Sequence, residues 1–178
     1  SVMPATPELA NVERELESRH KIYKLREALA DLSEHYDRIY IDTPPALNFY
    51  SRTALIATDR LLIPFDCDSF SRQALYNLVN TVAEIREDHN DELVIEGVVI
   101  NQYNAQAKLP NELIEQLKAD GLPVLESYLT SSVKLKESRE ATMPLIHFAP
   151  NHKLTQQFMN LYALLEGGDM IGIDNTEQ

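Results

Sequence analysis

The stretch Ile39-Tyr40-Ile41-Asp42-Thr43-Pro44-Pro45 constrains the fold more than any other part of the chain. Three β-favouring residues read as a short strand with a carboxylate at its C-terminal end. Two prolines follow, and neither can donate a ladder hydrogen bond, so the strand must stop. In a parallel sheet, ligands bind just beyond the carboxyl ends of the strands. Asp42 therefore falls where the carboxylate of a metal-bound ligand site would be. An ordinary strand end followed by a proline turn has the same spacing.

The remaining pattern alternates helices and strands. Thr6-Pro7-Glu8 reads as a helix start, with a hydroxyl cap, a proline at the first position and an acid in the first turn. Leu9, Val12 and Leu16 make one apolar stripe, and Ile22, Leu25, Leu29 and Leu32 a second, which predicts two helices. Val2-Met3-Pro4 could be the stub of a strand. A short helix is expected over Arg52–Thr58, then a buried strand at Arg60-Leu61-Leu62-Ile63-Pro64. Ser69 or Ser71 would cap the next helix, whose inner face is Ala74, Leu75, Leu78, Val79, Val82 and Ile85. Leu93 to Ile100 is the strongest strand signal, ending at Asn101. Pro110 opens a helix with Leu113, Ile114 and Leu117 inward, closed by Gly121. Val124-Leu125 reads as a short strand, and Val133 to Arg139 as a charged connection or short helix. Asn151 would cap a last helix with Leu154, Phe158, Leu161, Tyr162 and Leu165 inward, ended by Gly167-Gly168. Residues 1–168 are expected to form a single α/β domain, and residues 169–178 an acidic, loose tail.

Charge narrows the partners. The formal net charge is -12, which disfavours a large nucleic-acid footprint and adhesion to an anionic membrane. Lys134, Lys136 and Arg139 form the basic cluster of the later chain, with Lys108 as an addition. Cys67 is the only cysteine, so no internal disulfide forms and a reducing cytoplasm fits. Its neighbours Asp66 and Asp68 should raise its pKa. The five histidines lack metal-ligand spacing and read as surface or capping residues. No G-x-x-x-x-G-K-[ST] occurs.

Read in order, these pieces have a precedent. Pro4, Leu9, Glu13 and Leu16, then Tyr36-Asp37 with Ile39 to Pro45, resemble the ParA/MinD family of partition and positioning ATPases. Ala57-Thr58-Asp59 before Leu62-Ile63-Pro64 is similar too, as is Gly97-Val98-Val99-Ile100-Asn101. So are Ser132 to Glu137 followed by Pro144-Leu145. The match spans roughly residues 2 to 166 and looks nearest to chromosome or plasmid partition proteins of the ParA type.

The resemblance implies a doubly wound, mostly parallel α/β sheet of the P-loop NTPase type. It implies ATP and Mg²⁺ as cofactors, with Asp42 the Walker B carboxylate holding Mg²⁺ through water. Thr43, Pro44 and Pro45 would belong to the γ-phosphate switch, making Asp42, Thr43 and Pro44 the catalytic set. Asn101 would read the adenine edge. Lys134, Lys136 and Arg139 would be DNA contacts. Self-association and a ParB-like partner are implied as well.

The sequence departs from the family in two places. The family's Gly-rich phosphate loop and signature lysine are absent, so the chain reads as the family fold without its first strand and N-terminal phosphate-loop portion. Leu129-Thr130-Ser131 stands where the family often has Ile-Pro-Arg. The expectation is weak or no MgATP binding and no hydrolysis by this chain alone. A phosphate loop encoded before Ser1 would make the parent an ATPase. A start at Met3 would make the chain a dimerisation or partner-binding module. In the family, the phosphate-loop strand lies beside the Walker B strand. Ile39 to Ile41 should then face a vacant slot, to be filled by another copy, by a re-routed stretch around Val2, or by residues outside this sequence.

Three rivals fail on particular residues. A signalling receiver domain needs an acidic pair and a late lysine that are not in register. An iron–sulfur relative needs more than Cys67. A membrane-positioning role needs a basic amphipathic C-terminal helix, whereas Asp169 to Asp174 is acidic and short.

Overall fold

A computed structural model describes residues 1–167; the tail expected over 169–178 lies outside the described residues. In chain order, helices α1 (Leu9–Ser18), α2 (Lys24–Ser33) and α3 (Phe49–Ala57) precede strand β1 (Arg60–Asp66). Helix α4 (Ser69–Asp88) crosses over to strand β2 (Val94–Asn101). Helices α5 (Lys108–Ala119), α6 (Val133–Glu140), α7 (Leu145–Phe148) and α8 (Lys153–Glu166) follow. The chain divides into two compact units: Ser1–Leu61 with Tyr76–Val94, and Leu62–Leu75 with Ile95 onward.

In the first unit α1 and α2 pack on α3, the two separate apolar stripes being two helices. Helix α3 carries the buried residues Phe49, Ala54, Leu55 and Ile56, whereas α2 buries none completely. The α3 N-terminus is capped twice. Asn48 Oδ1 accepts from the Ser51 N–H at 3.1 Å, and Glu13 Oε1 accepts from the Phe49 N–H at 3.2 Å. At its other end Asn90, 6% exposed, donates through Nδ2 to Leu55 O at 3.1 Å and Thr58 O at 2.8 Å. Those carbonyls belong to the last turn of a helix and would otherwise be orphaned.

The expected strand at Ile39–Ile41 does not form. Residues 38–44 adopt no regular secondary structure and have no ladder partner among the described residues. Ile39, Tyr40 and Ile41 are 39%, 69% and 37% exposed. A strand needs a neighbour to pair its N–H and C=O groups, and apolar pattern alone does not supply one. The stretch around Val2 does not fill that role: Val2 and Met3 are exposed and carry no strand.

In the second unit β2 is the interior strand. Gly97, Val98, Val99 and Ile100 are all buried, on the stretch that gave the strongest strand signal. The segment 123–130 pairs with β2 on the side away from β1. Val98 N–H donates to Pro123 O at 2.8 Å and Leu125 N–H to Val98 O at 3.0 Å. Leu129 N–H donates to Ile100 O at 2.8 Å and Tyr103 N–H to Leu129 O at 2.9 Å. The expected Val124-Leu125 strand is therefore a longer, interrupted parallel pairing, with residues 126–128 looped out between its two halves. Gly97 permits this approach: a Cβ there would meet Leu125 Cγ at 2.4 Å.

β1 differs from its expected full burial. It alternates, with Ile63 and Phe65 inside and Pro64 exposed, and its outer edge is unpaired among the described residues. Proline suits an edge because it has no N–H to leave unsatisfied. The core of this unit gathers Val99, Leu129, Leu145 and Leu154 against Leu62, Leu125, Leu135, Ala149 and Leu161.

Helix ends correct several expectations. The α4 cap is Asp68, which accepts from the Ser71 N–H at 2.7 Å and the Ser71 hydroxyl at 3.0 Å. Helix α5 starts at Lys108, which puts Pro110 inside the first turn, where a missing N–H costs nothing. Gly121 and Gly167 end α5 and α8 at φ of +80° and +72°. His152, not Asn151, caps α8, its Nδ1 accepting from the Leu154 N–H at 3.1 Å. Phe158 and Tyr162 are 40% and 62% exposed. The inner face of α8 is instead partly polar, with Thr155, Gln157 and Asn160 buried beside Leu154. Gln157 Oε1 accepts from the N–H and the hydroxyl of Thr130, both at 3.0 Å, and Ser127 Oγ donates to Gln157 O at 2.9 Å.

Candidate functional site

Parallel strands that are neighbours end on the same edge, so Asp66 of β1 and Asn101 of β2 come together. Asn101 Nδ2 donates to Asp66 Oδ1 at 2.9 Å. The next residue, Gln102, donates from Nε2 to Asp66 Oδ2 at 2.8 Å. One carboxylate thus receives two amide groups, one on each oxygen. Gln102 has φ of +51°, a left-handed conformation that non-glycine residues seldom adopt. The following residue pins it there: the Tyr103 ring packs edge-on against Tyr128 at 4.9 Å, and its hydroxyl donates to Asn111 Oδ1 at 2.7 Å.

The β1–α4 turn completes this edge. Asp68 is held below the usual carboxylate range by the Ser71 backbone N–H, then by the Ser71 hydroxyl. Cys67 is pushed up to about 11, first by burial and then by the charges of Asp66 and Asp68. It stays a thiol at neutral pH, as its acidic neighbours predicted.

Asp42, Thr43 and Pro44 lie in the first unit, on the exposed irregular segment before α3. The Asp42 carboxylate has no hydrogen bond or ion pair among the described residues. The ground beyond it is tied down: the Ser51 hydroxyl donates to Ala46 O, with a longer approach to Pro44 O at 3.5 Å. Lys134, Lys136 and Arg139 lie on α6 in the second unit. Lys134 is occupied by Glu137 at 2.7 Å, whereas Lys136 and Arg139, three apart, share a face and are exposed. Among the residues singled out from sequence, Asn101 alone gains a defined polar partner at the strand ends. Asp66 and Gln102 were missed as site residues. Their signal was positional: Asp66 closes the strand adjacent to the one that Asn101 closes.

A family model described as an AAA domain matches residues 1–95, just over half of the chain. The chromosome partitioning protein ParA of Myxococcus xanthus is 30% identical over 162 residues, covering 90% of this chain and 57% of its own length. The sporulation initiation inhibitor protein Soj of Bacillus subtilis is 32% identical over 162 residues, covering 90% of this chain and 64% of its own length. This chain belongs to the ParA/MinD family. Its ParA/MinD-type α/β fold is seen also in solved structures. An ATP complex of a Cyanothece McdA variant matches with a TM-score of 0.79 at 24% identity, covering 96% of this chain and 67% of that one. Cobyrinic acid a,c-diamide synthase from Mycobacterium smegmatis with a bound ATP analogue and magnesium matches at 0.74 and 20% identity, covering 97% and 66%. At these identities the structures establish fold alone. The chain spans less than two thirds of the length of the two curated relatives.

The residues present fit a ParA/MinD cofactor only in part. Asn101 offers an amide at a strand end, suited to a base edge. Asp42 offers one unpaired carboxylate, and Mg²⁺ usually keeps most of its waters and takes one or two carboxylates. Among the described residues no three metal-binding side chains cluster. The sequence holds no Walker-type glycine loop to cradle phosphates, and among the described residues Gly97, Gly121 and Gly167 serve strand packing and helix ends. No helix among the described residues is long and apolar enough to cross a membrane.

Proposed function

We propose that this chain is the base-reading and Walker B portion of a ParA-like ATPase that works in chromosome or plasmid partitioning. The observation that carries the reading is Asn101 held at the carboxyl end of the interior strand, in a chain 30% identical to a chromosome partitioning protein over nine tenths of its length. In this reading residues 1–168 act as one ParA-like domain, and Asp42 orients a hydrated Mg²⁺ beside the switch residues Thr43 and Pro44. Self-association is supported by the exposed Ile39 to Ile41, which have no ladder partner among the described residues, and a ParB-like protein is the expected regulatory partner. DNA contact through Lys134, Lys136 and Arg139 belongs to a longer, ATP-loaded protein. It is not expected of this acidic chain alone, where Glu137 already holds Lys134.

Titration calorimetry tests the nucleotide part. Without a phosphate cradle, MgATP should bind this chain no more tightly than on the order of 1 mM. Micromolar binding, or turnover by the purified chain, would show that other residues cradle the phosphates. The alternative is a dimerisation or partner-binding module derived from the same fold. It is favoured by the absent phosphate loop and would show no adenine-dependent change at Asn101 at any concentration.

A further inference from the structure

The reading above assigns Asn101 to the base but leaves Asp66 and Gln102 without a role. An amide side chain can present its oxygen and its NH₂ either way round, and only its partners decide which. Here the partner decides. An ionised carboxylate accepts hydrogen bonds and donates none, so each amide must turn its nitrogen to Asp66. Asn101 does so at 2.9 Å and Gln102 at 2.8 Å, each to a different oxygen. The Asn101 and Gln102 amide oxygens accept no hydrogen bond among the described residues. Gln102 is exposed, and the oxygen of half-buried Asn101 is not among the buried polar atoms without partners, so solvent or a ligand can reach both. Gln102 makes this contact from a left-handed backbone conformation, φ +51°, with the next residue, Tyr103, packed on Tyr128 and bonded to Asn111.

From this geometry we infer that Asp66 is a positioning residue that sets base selectivity by locking the amides of Asn101 and Gln102 with their oxygens available as acceptors. The inference rests on Asn101 reading the base. A fixed acceptor, with the one N–H left on the same amide, complements a ring that carries an exocyclic amine beside an unprotonated ring nitrogen. Adenine has that pair. Hypoxanthine and guanine place a carbonyl oxygen and a protonated ring nitrogen there, so acceptor meets acceptor and donor meets donor. An amide free to flip would take either ring, and Asp66 forbids the flip. Selectivity therefore comes from a residue that needs no contact with the ligand.

The test is side-chain amide NMR on the full 178-residue chain, titrated with adenosine 5′-monophosphate and separately with inosine 5′-monophosphate. The NH₂ signals of Asn101 and Gln102 should shift with the adenosine nucleotide, at an affinity about tenfold better than for the inosine nucleotide. In Asp66→Asn the backbone spectrum should stay dispersed while the ratio falls to within about twofold. Asp66→Ser is the second neutral variant should the first not fold. Asp66→Glu, which keeps an acceptor-only group, should retain most of the preference. A general structural role would weaken both nucleotides alike and leave their ratio unmoved, and that result would overturn the inference while leaving the Asn101 reading intact. Shifts with both nucleotides at equal affinity in the unaltered chain would overturn it in the same way. No shift of Asn101 with the adenosine nucleotide at tens of millimolar would overturn the base reading itself, and the inference with it.

Discussion

Two carboxylates in this molecule are held in opposite ways. Asp66 closes a strand, takes one amide on each oxygen and sits beside a residue forced into a left-handed turn. Asp42 lies on an irregular segment with no ladder, exposed and without a polar partner among the described residues. Sequence pattern pointed to Asp42, because a strand-like run, an acid and two prolines make a conspicuous local signature. It passed over Asp66, whose partners are 35 and 36 residues away. A carboxylate with all its lone pairs free is suited to bind something added from outside. One whose two oxygens each already accept an amide is suited to hold other side chains still.

The largest effect that could break this contrast concerns activity. In a ParA-like protein that supplies a phosphate loop and hydrolyses ATP, Asp42→Ala should lower turnover on the order of 100-fold or more. Steady-state ATPase assays of the two proteins decide it, and near-normal turnover would remove the Walker B assignment. In this chain the same substitution should move unfolding free energy by no more than about 0.5 kcal/mol, since none of the described residues bonds that side chain. Urea melts of both proteins give that number.

Cys67 sharpens the other side of the contrast. Its thiol is raised from 9.0 to about 11 in the folded chain. At pH 8 the folded thiol should therefore alkylate roughly 100-fold more slowly than the same thiol in denaturant, as its thiolate fraction falls by that factor. Timed iodoacetamide labelling, followed by mass spectrometry, measures both rates. The sign of the stability linkage follows from a raised folded pKa. The contribution is fully present below pH 9, the unfolded value, and is lost as pH rises through about 11.

A smaller effect lies at Asn90, which ties the end of α3 to the turn after α4. Asn90→Ala removes two hydrogen bonds to Leu55 O and Thr58 O and should cost about 2 kcal/mol in a urea melt. An unchanged midpoint would mean that water satisfies those carbonyls. The smallest expected effect is on DNA. Fluorescence anisotropy of random duplex should show no binding by this chain at physiological salt, because its net charge is -12. A salt-sensitive rise would move Lys136 and Arg139 from surface charges to a DNA-contacting face.

Local signals proved legible and partner-dependent ones did not. The two stripes before His35 became two helices, and the run from Leu93 to Ile100 became the interior strand. Each had its cause within a few residues. Ile39 to Ile41 had the composition of a strand, but strand formation is decided by a neighbour that no local pattern specifies. Caps were misread for a related reason. Ser71 and Asn151 have capping side chains, yet Asp68 and His152 lie one to three residues earlier or later and make the bonds. At Phe158 and Tyr162 the helical period was right and the facing was wrong, because polar Gln157 and Asn160 take the inner side.

That polar inner side makes α8 a keyed part. An apolar seam lets a helix slide by fractions of a turn at little cost, since one methyl replaces another. Here Gln157 must meet Thr130, and Ser127 must meet the Gln157 carbonyl. Any sliding strands several donors at once, each costing about 1–3 kcal/mol when buried without a partner. The last helix is therefore either seated in one register or released altogether. A spectroscopic label on its exposed Tyr162 face should report two populations rather than a gradual drift.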